Sequence, residues 1–345
     1  MSLGITKPTI DELSNRGSIE IFDDVEADPS KKILLSAIEV GKKFRATGVI
    51  GFGGGSSMDV AKLVALILGS NEDLEKAWGV NNAKGPRLPL VLVPTTAGTG
   101  SEVTPVAIIT IGEEEKKGVS SSIILPDLAI LDPELTLGLP AGTTAATGID
   151  AMVHAIEAYA SKSKNNNPIS RMIAIEALKL LGQSIETAVL DGSNLEARGN
   201  MLIGSMLAGK AFANSPVAAV HALAYPIGGI FHVPHGLSNS LVLPYVLRFN
   251  SVDIKAAKDY SELAQYVFPD LDINKGTQAV CAEFIDKIED LSKRLGLPQK
   301  LREVNIPKEA CVKMASDAMK QTRLLVNNPR EVTEIDALNI YQAAW

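Results

Sequence analysis

Residues 49–62 read VIGFGGGSSMDVAK and decide the fold. A strand is predicted over Gly48–Phe52, glycines follow it, and a helix is predicted to start directly afterwards. Glycines let a backbone approach an anion closely, and a helix N-terminus offers free N–H groups and the positive end of its dipole. Two interpretations stay open, a phosphate-binding turn or a tight turn in which Ser56 and Asp59 form a capping pair.

Strands and helices alternate on both sides of this turn as far as residue 138. Runs of β-branched residues are separated by glycine and proline, which is typical of strands in βαβ units. Helices are predicted over Ser36–Arg45 and Ser57–Leu68. The alternation predicts an α/β domain with a mostly parallel sheet. Its further strands are predicted over Ile19–Phe22, Leu90–Val93, Val106–Ile111 and Ile123–Leu131.

The pattern becomes helical after Pro140. Long Ala- and Leu-rich stretches repeat their apolar residues at helical spacing. The stretch LGLPA at 137–141 is a plausible hinge, and 345 residues suit two domains, 1–138 and 139–345. The predicted helices are Thr143–Ser161, Pro168–Leu190, Leu195–Ala213, Val217–Ile230, Asp253–Val267, Gln278–Leu295 and Lys308–Lys320.

Composition excludes several classes of protein. A hydrophobic fraction of 46% and a charged fraction of 21% are those of a globular chain, which excludes a disordered protein. The longest apolar runs, such as Leu63–Leu68, are far shorter than the roughly 20 residues of a membrane span, and the N-terminus has no signal-peptide core. A net charge of −7 argues against a nucleic-acid partner, whose binding needs Lys and Arg.

The two cysteines, Cys281 and Cys311, stand in unrelated contexts. This excludes a disulfide scaffold and a thiolate metal cluster. Both are interpreted as buried free thiols in a reducing compartment. The sequence therefore predicts a cytoplasmic protein that handles small molecules.

A second loop rich in small polar residues follows another strand. Residues 89–104 read PLVLVPTTAGTGSEVT, and the eight residues after Pro94 are all Thr, Ala, Gly or Ser. Such a loop offers hydroxyls and exposed N–H groups to a nicotinamide ribose or diphosphate. Parallel α/β sheets bind ligands at this end of a strand. A polar surface loop is the alternative interpretation.

Metal-ligand candidates are concentrated in one part of the chain, since all four histidines lie between residues 154 and 235. In TGIDAMVHAIEAY, residues 147–159, Asp150 and His154 are four apart on a predicted helix and share a face. In HALAYPIGGIFHVPHG, residues 221–236, His221 lies on an apolar helix and His235 is predicted to lie in a turn.

One carboxylate with imidazoles suits Fe(II), Zn(II), Co(II) or Mn(II), and the sequence does not choose among them. An isolated histidine on an apolar helix is more often a core residue than a ligand, but four such groups favour a metal site. Glu157 lies one turn from His154. It is interpreted as a helix-surface or helix-capping residue, with support of a metal ligand as the alternative.

Four stretches taken together, GGGSSMDVAK, PTTAGTGSEVT, AILDPELTLGLPAGTTAATGIDAMVHAIEAY and HALAYPIGGIFHVPHG, resemble the iron-containing (group III) alcohol dehydrogenases. The resemblance runs from about Phe22 to the C-terminus. It implies an α/β dinucleotide-binding domain followed by an all-helical domain, the dehydroquinate synthase-like architecture, with the active site in the cleft between them. It also implies a homodimer or a higher homo-oligomer.

The resemblance implies a role for particular residues of this chain. Phe212 would line the substrate pocket. The family often has a proton-relaying histidine where this chain has Tyr225, so Tyr225 and His232 are both candidates for moving the proton. Fe²⁺, or Zn²⁺ as the alternative, would be held by Asp150, His154, His221 and His235. NAD or NADP would be bound by Gly54, Gly55, Ser56, Asp59, Thr95, Thr96, Thr99 and Lys116.

The function implied is that of an NAD(P)-dependent alcohol dehydrogenase or aldehyde reductase, with small alcohols and aldehydes as substrates and no membrane partner. The family opens with a strand that precedes the equivalent of MSLGITKP, so the sheet is expected to lack its first strand and to have an uncovered edge. A metal-binding relative that has lost cofactor binding through N-terminal truncation is therefore one alternative. A glycerol dehydrogenase or dehydroquinate synthase is the other, and the absence of Lys and Arg from 147–160 and 217–231 disfavours the synthase.

Overall fold

The protein consists of two units of different secondary structure. A computed structural model describes residues 4–112 and 115–345. One unit comprises Met1–Thr96 with Ser101–Gly138, and the other comprises Ala97–Gly100 with Leu139–Trp345. The small-residue loop after the predicted strand Leu90–Val93 is thus divided, and its central four residues belong with the helical unit.

Two three-stranded sheets lie in the first unit. The strands are β1 (Val49–Gly53), β2 (Gly79–Val80), β3 (Leu90–Pro94), β4 (Val106–Ile111), β5 (Glu115–Ser120) and β6 (Leu128–Ala129). The first sheet has the order β1-β3-β6 and is parallel throughout, with Val49 opposite Leu90. The second has the order β2-β5-β4, and β4 runs antiparallel to β5.

Four helices accompany these sheets: α1 (Lys7–Ser14), α2 (Lys31–Phe44), α3 (Gly55–Ser70) and α4 (Leu74–Ala77). Helix α3 is buried because Met58 and Ala61 pack on Leu90 and Leu92. Gly51 allows this approach, since a Cβ there would lie 2.6 Å from Leu92 Cδ2 and 2.7 Å from Ala61 Cβ.

The predicted strands at β1, β3 and β4 are confirmed, but two others are wrong. Residues 19–22 form no strand. In the predicted strand Ile123–Leu131, only Leu128–Ala129 pairs, because Ser122–Ile124 forms a 3-10 turn and Pro126 supplies no N–H donor. Strand β5 was not predicted, since its sequence EKKGVS lacks the apolar alternation of a strand.

The expected open edge of the parallel sheet lies at β1. Among the described residues β1 pairs only with β3, and Ile50 is 47% exposed. A cavity of about 770 Å³ extends along this side of the unit, between β1 and residues of the first 25 positions such as Ile10 and Phe22.

The second unit is entirely helical in its described part. Helices α5, α6 and α7 pack against one another, and α8 packs on α9. No helix in the described ranges is long and apolar enough to cross a membrane. The helices are α5 (Ala141–Ala160), α6 (Pro168–Leu190), α7 (Leu195–Asn214), α8 (Ala219–Phe231), α9 (His235–Asn250), α10 (Ile254–Val267), α11 (Thr277–Arg294), α12 (Ala310–Ala318), α13 (Thr322–Leu325) and α14 (Glu334–Ala344).

All seven helices predicted here are confirmed within a few residues. The turn predicted at His235 is wrong, because His235 is the first residue of α9. Pro234 is the N-cap residue of this helix. Gly236 and Pro244 within α9 are poor helix formers, so the sequence pattern did not predict it. Helix α14 was not predicted either.

Candidate active site

Helices α5 and α8 bring a carboxylate and two imidazoles together. One ligand atom from each of Asp150, His154 and His221 lies within 4.8 Å of the others, and all three residues are buried. The first two lie one turn apart on α5, as their spacing predicted, whereas His221 comes from α8. Tertiary packing rather than local sequence completes this cluster.

The donor set fits a divalent cation. Nε2 of His221 lies 3.0 Å from Nε2 of His154, and Nδ1 of His221 lies 2.6 Å from Oε2 of Glu157. If Nδ1–H of neutral His221 donates to Glu157, its Nε2 presents a lone pair toward the other imidazole. Two imidazole nitrogens and a carboxylate oxygen that converge in a buried position are the ligands that Fe(II) and Zn(II) take.

His235 lies beside this cluster on its more open side. Its Nε2 is 3.7 Å from Oδ1 of Asp150, and its side chain is 35% exposed. Asn239, one turn further along α9, donates from Nδ2 to Oδ1 of Asp150 at 2.6 Å and lies 3.3 Å from Nε2 of His235. Sequence inspection missed Asn239, although its i+4 spacing from His235 was a usable signal.

Burial of the cluster and repulsion among its histidines set the protonation states that binding of a cation requires. Burial, with the neighbouring histidines, lowers the pKa of His154 to about 3, which keeps the imidazole neutral. Burial acts to raise the pKa of Asp150, but the three histidines and Asn239 together hold that pKa below its ordinary value. The carboxylate is therefore ionised and the imidazole carries a free lone pair at neutral pH.

Glu157 is not a helix-surface residue. It is buried, and its two oxygens accept from His221 Nδ1 at 2.6 Å and from the Val220 N–H at 2.7 Å. Val220 lies in the first turn of α8, so Glu157 caps the start of that helix. The contact of Glu157 with Nδ1 of His221 orients the imidazole, which fits the alternative interpretation of Glu157 as support for a metal ligand.

Glu157→Gln is expected to weaken Zn(II) binding by about 10- to 100-fold, because a neutral amide holds the Nδ1–H of His221 less firmly. Competition against a chromogenic chelator measures this change. The matched control is Glu176→Gln, an exposed glutamate of α6. Zinc affinity that changes equally little in both variants would contradict the orienting role.

The remaining candidates from the helical unit have distinct surroundings. The ring of Phe212 stacks on His154 with centroids 4.5 Å apart. The ring of Tyr225 lies 6.1 Å from that of His235. His232 is exposed and ends α8 in the left-handed conformation, at φ 54°. Two of the three candidates, Phe212 and Tyr225, therefore have ring contacts with metal-ligand candidates.

The glycine turn places a helix start where an anion can approach. Gly53 has φ 147°, and Gly54 is the N-cap of α3 without any side-chain capping bond. Of the two interpretations left open, the capping pair of Ser56 and Asp59 is wrong, because Gly54 is the N-cap and supplies no side-chain acceptor to the first N–H groups of α3. This is the arrangement that binds phosphate at helix N-termini.

The side chain of Asp59 is directed into the protein. Its Oδ1 accepts from Ser101 Oγ at 2.7 Å and its Oδ2 accepts from the Ile108 N–H at 2.9 Å. Beside it, fully buried Lys62 donates to Ser101 Oγ at 2.8 Å and to the Val106 carbonyl at 2.7 Å. Asp59 thus joins α3 to residues 101–108, a contact that positions the glycine turn.

Sequence inspection also missed Lys62, although its i, i+3 spacing from Asp59 was visible. Burial lowers the pKa of Lys62 to about 8. Nearby Glu102 is buried too, and burial raises the pKa of its carboxyl to about 7. Lys62 and Glu102 both lie in the first unit.

The C-terminal ends of β1 and β3 lie side by side, directly before the predicted cofactor loops. The Thr95 N–H donates to the Gly53 carbonyl at 2.9 Å, and a Cβ on Gly54 would lie 3.5 Å from the side chain of Thr96. Lys116 on β5 instead forms an ion pair with Asp28. Gly55 and Ser56 begin α3, while Thr99 lies in the segment assigned to the helical unit.

The sequence matches two family models that together span almost the whole chain. The model described as iron-containing alcohol dehydrogenase matches residues 1–133, and the C-terminal model of the Fe-containing alcohol dehydrogenase family matches residues 144–345. The chain belongs to the iron-containing alcohol dehydrogenase family. It is an oxidoreductase of the alcohol dehydrogenase type, with a candidate metal site at Asp150, His154 and His221.

Individual relatives in the iron-containing alcohol dehydrogenase family match this chain over almost nine tenths of their own length. The long-chain-alcohol dehydrogenase 1 of Geobacillus thermodenitrificans (strain NG80-2) is 37% identical, with 100% of this chain and 87% of the relative covered. A crystal structure of 1,3-propanediol oxidoreductase has a TM-score of 0.94 at 34% identity, covering 99% and 88% of the two chains. The sulfoacetaldehyde reductase of Bifidobacterium kashiwanohense, solved in complex with NAD+, has a TM-score of 0.84 at 30% identity, covering 99% and 88%.

Proposed function

We propose that this iron-containing alcohol dehydrogenase interconverts a small primary alcohol and its aldehyde with NAD(H) or NADP(H). The reaction would take place at a metal ion held by Asp150, His154, His221 and His235. The convergence of Asp150 with two imidazole nitrogens 3.0 Å apart is the observation that carries the proposal. When bound, the ion supplies Lewis acidity toward the substrate oxygen, and the nicotinamide supplies or accepts the hydride.

The side chains around the cluster prepare it for this chemistry. Glu157 fixes the orientation of the His221 ring through its 2.6 Å contact, so the ring does not reorganise when a ligand arrives. Phe212 covers one face of His154 and excludes water from it. Tyr225 lies near His235 and carries a hydroxyl that can hold or pass a proton, which supports it over exposed His232 as the proton-handling residue.

The glycine turn supports the proposed nucleotide site. The uncapped start of α3 provides N–H groups for a diphosphate, and Gly54 leaves room beside Thr96. We include Gly54, Gly55, Ser56, Thr95, Thr96, Thr99 and Lys116 as direct cofactor contacts, and Asp59 as the residue that holds the turn in place.

Calorimetric titration of the chain, loaded anaerobically with Fe(II), tests the proposal most directly. We expect micromolar binding of NADH or NADPH and reduction of short aldehydes. A folded, metal-loaded chain that binds neither nucleotide would overturn the proposal and leave a metal-binding relative without dehydrogenase activity. The preferred nucleotide follows from the same titration.

The setting of the protein in the cell is a further part of the proposal. We place it in the cytoplasm, which the two buried free cysteines support.

We also expect self-association through the helical unit, where Ile169 and Met172 expose apolar side chains on one face of α6. Sedimentation velocity of the purified chain measures the assembly.

A further inference from the structure

The guanidinium group of Arg323 lies one side chain away from His235, a metal-ligand candidate. Nη2 of Arg323, on α13, donates to the hydroxyl of Tyr225 at 3.3 Å. The ring of Tyr225 in turn lies 6.1 Å from the ring of His235. Arg323 is therefore separated from a metal-ligand candidate by one tyrosine side chain and one hydrogen bond.

Buried Asn327 fixes this position. Its Nδ2 donates to the Arg323 carbonyl at 3.0 Å and to the Val217 carbonyl, directly before α8, at 3.1 Å. Its own carbonyl accepts from the Lys162 N–H, directly after α5, at 2.8 Å. One residue thus joins α13 to the C-terminal end of α5 and the N-terminal end of α8, which carry Asp150, His154 and His221, and it fixes the backbone at Arg323.

The charge of Arg323 is available to a ligand. Throughout residues 4–112 and 115–345, no carboxylate forms an ion pair with its guanidinium, and the residue is exposed. The nearest acidic residue along the chain, Asp317, is paired with Lys320. Other arginines of this acidic chain, such as Arg171 and Arg248, have carboxylate partners. A guanidinium with free donors beside a binding site suits a carboxylate or sulfonate, which it holds by two parallel hydrogen bonds.

We propose that Arg323, positioned by its hydrogen bond to the Tyr225 hydroxyl, recognises an anionic group at the far end of the substrate. The substrate class is then a short aldehyde, or the corresponding alcohol, that carries a terminal carboxylate or sulfonate. This inference rests on the proposed dehydrogenase function and specifies its substrate. In the reduction, the carbonyl carbon gains a hydride from the reduced nicotinamide and the oxygen gains a proton, while the anionic group is unchanged.

The test compares matched substrates in the metal-loaded enzyme. One pair is 4-oxobutanoate and butanal, and the other is sulfoacetaldehyde and propanal. We expect kcat/KM at least about 10-fold higher for the anionic member of one pair, and the pair that shows it tells carboxylate from sulfonate. Arg323→Leu should lower the ratio of kcat/KM for that anion to kcat/KM for its neutral partner by about 10- to 100-fold, the usual effect of losing a charge-assisted contact. A loss that acts through Tyr225 slows both members of the pair and leaves this ratio unchanged.

Two further variants separate recognition from packing and from general charge. Arg323→Lys keeps the charge but loses the paired donors, so it should restore only part of the preference. Lys320→Leu removes a cation three residues away and should leave the preference unchanged. If Arg323→Leu slows both members of each pair equally, Arg323 merely supports Tyr225 and the inference is overturned.

Binding measurements decide the inference independently of turnover. Calorimetry of the zinc-loaded protein is carried out with 4-hydroxybutanoate, with 2-hydroxyethanesulfonate and with 1-butanol. Tighter binding of an anionic alcohol than of 1-butanol, lost in Arg323→Leu, supports the inference. Equal binding in both proteins overturns it. Failure of the dehydrogenase function would appear separately, as a chain that binds neither NADH nor NADPH.

Discussion

Replacement of His235 by alanine is expected to lower the affinity for Fe(II) or Zn(II) by more than about 100-fold. Groups that only support a metal ligand cost about 10- to 100-fold when removed, so a direct ligand should cost more. His235 is suited to this test because it is half-exposed and begins α9, whereas His221 is buried between Glu157 and His154. Its removal should change the stability of the metal-free chain by less than about 1 kcal/mol.

Metal content after dialysis against a weak chelator, measured by plasma emission, provides the readout. His232→Asn is the matched control, since His232 is exposed, lies three residues away and has the left-handed backbone that asparagine tolerates. Binding of NADH by the metal-free His235→Ala variant should equal that of the parent. Full metal content in His235→Ala would remove this residue from the ligand set and leave the cluster of Asp150, His154 and His221.

Gly54→Val is expected to weaken NADH binding by about 100-fold or more while metal content stays unchanged. The residue has φ −78°, which any side chain adopts, and its added Cβ would make only ordinary contact with Thr96, at 3.5 Å. The isopropyl group would instead occupy the space in front of the first N–H groups of α3, where the diphosphate is proposed to lie. The fold should lose only about 1 kcal/mol, the usual difference between glycine and a β-branched residue at an N-cap.

Fluorescence titration with NADH, alongside urea unfolding, separates these two effects. Gly48→Val is the matched control because Gly48 precedes the same strand at its opposite end, and an added Cβ there would lie 3.6 Å from the Pro89 carbonyl. Gly53 is not a useful site, since its φ of 147° and a Cβ 2.6 Å from Ser57 Oγ would disturb the turn itself. Unchanged NADH affinity in Gly54→Val would show that the glycine turn is not the phosphate site.

Local patterns predicted the parts of this protein that depend on local sequence. The β1–glycine–α3 turn and the helical repeat after Pro140 were visible in the sequence, because strand and helix periods are properties of neighbouring residues. The face shared by Asp150 and His154 was visible for the same reason. Strands β2 and β5 were not, since their pairing depends on partners elsewhere in the chain.

These local patterns do not predict contacts between residues that are far apart in the sequence. Glu157 meets His221 across 64 positions and Lys62 meets Ser101 across 39. Arg323 and Tyr225 are 98 positions apart, and no spacing rule joins them. His235 was a metal-ligand candidate from the sequence and from the family resemblance, but the helix that begins there became visible only in the structure.

The two buried thiols make local opening of the helical unit directly observable. Burial raises the pKa of Cys281 to about 11 and raises that of Cys311 as well, so both react slowly with thiol reagents while the fold is closed. The sequence has no other cysteine, and both lie in the unit of Leu139–Trp345. The rate of thiol labelling under native conditions therefore reports opening of that unit alone, and its decrease on addition of metal would measure how strongly ligation suppresses those fluctuations.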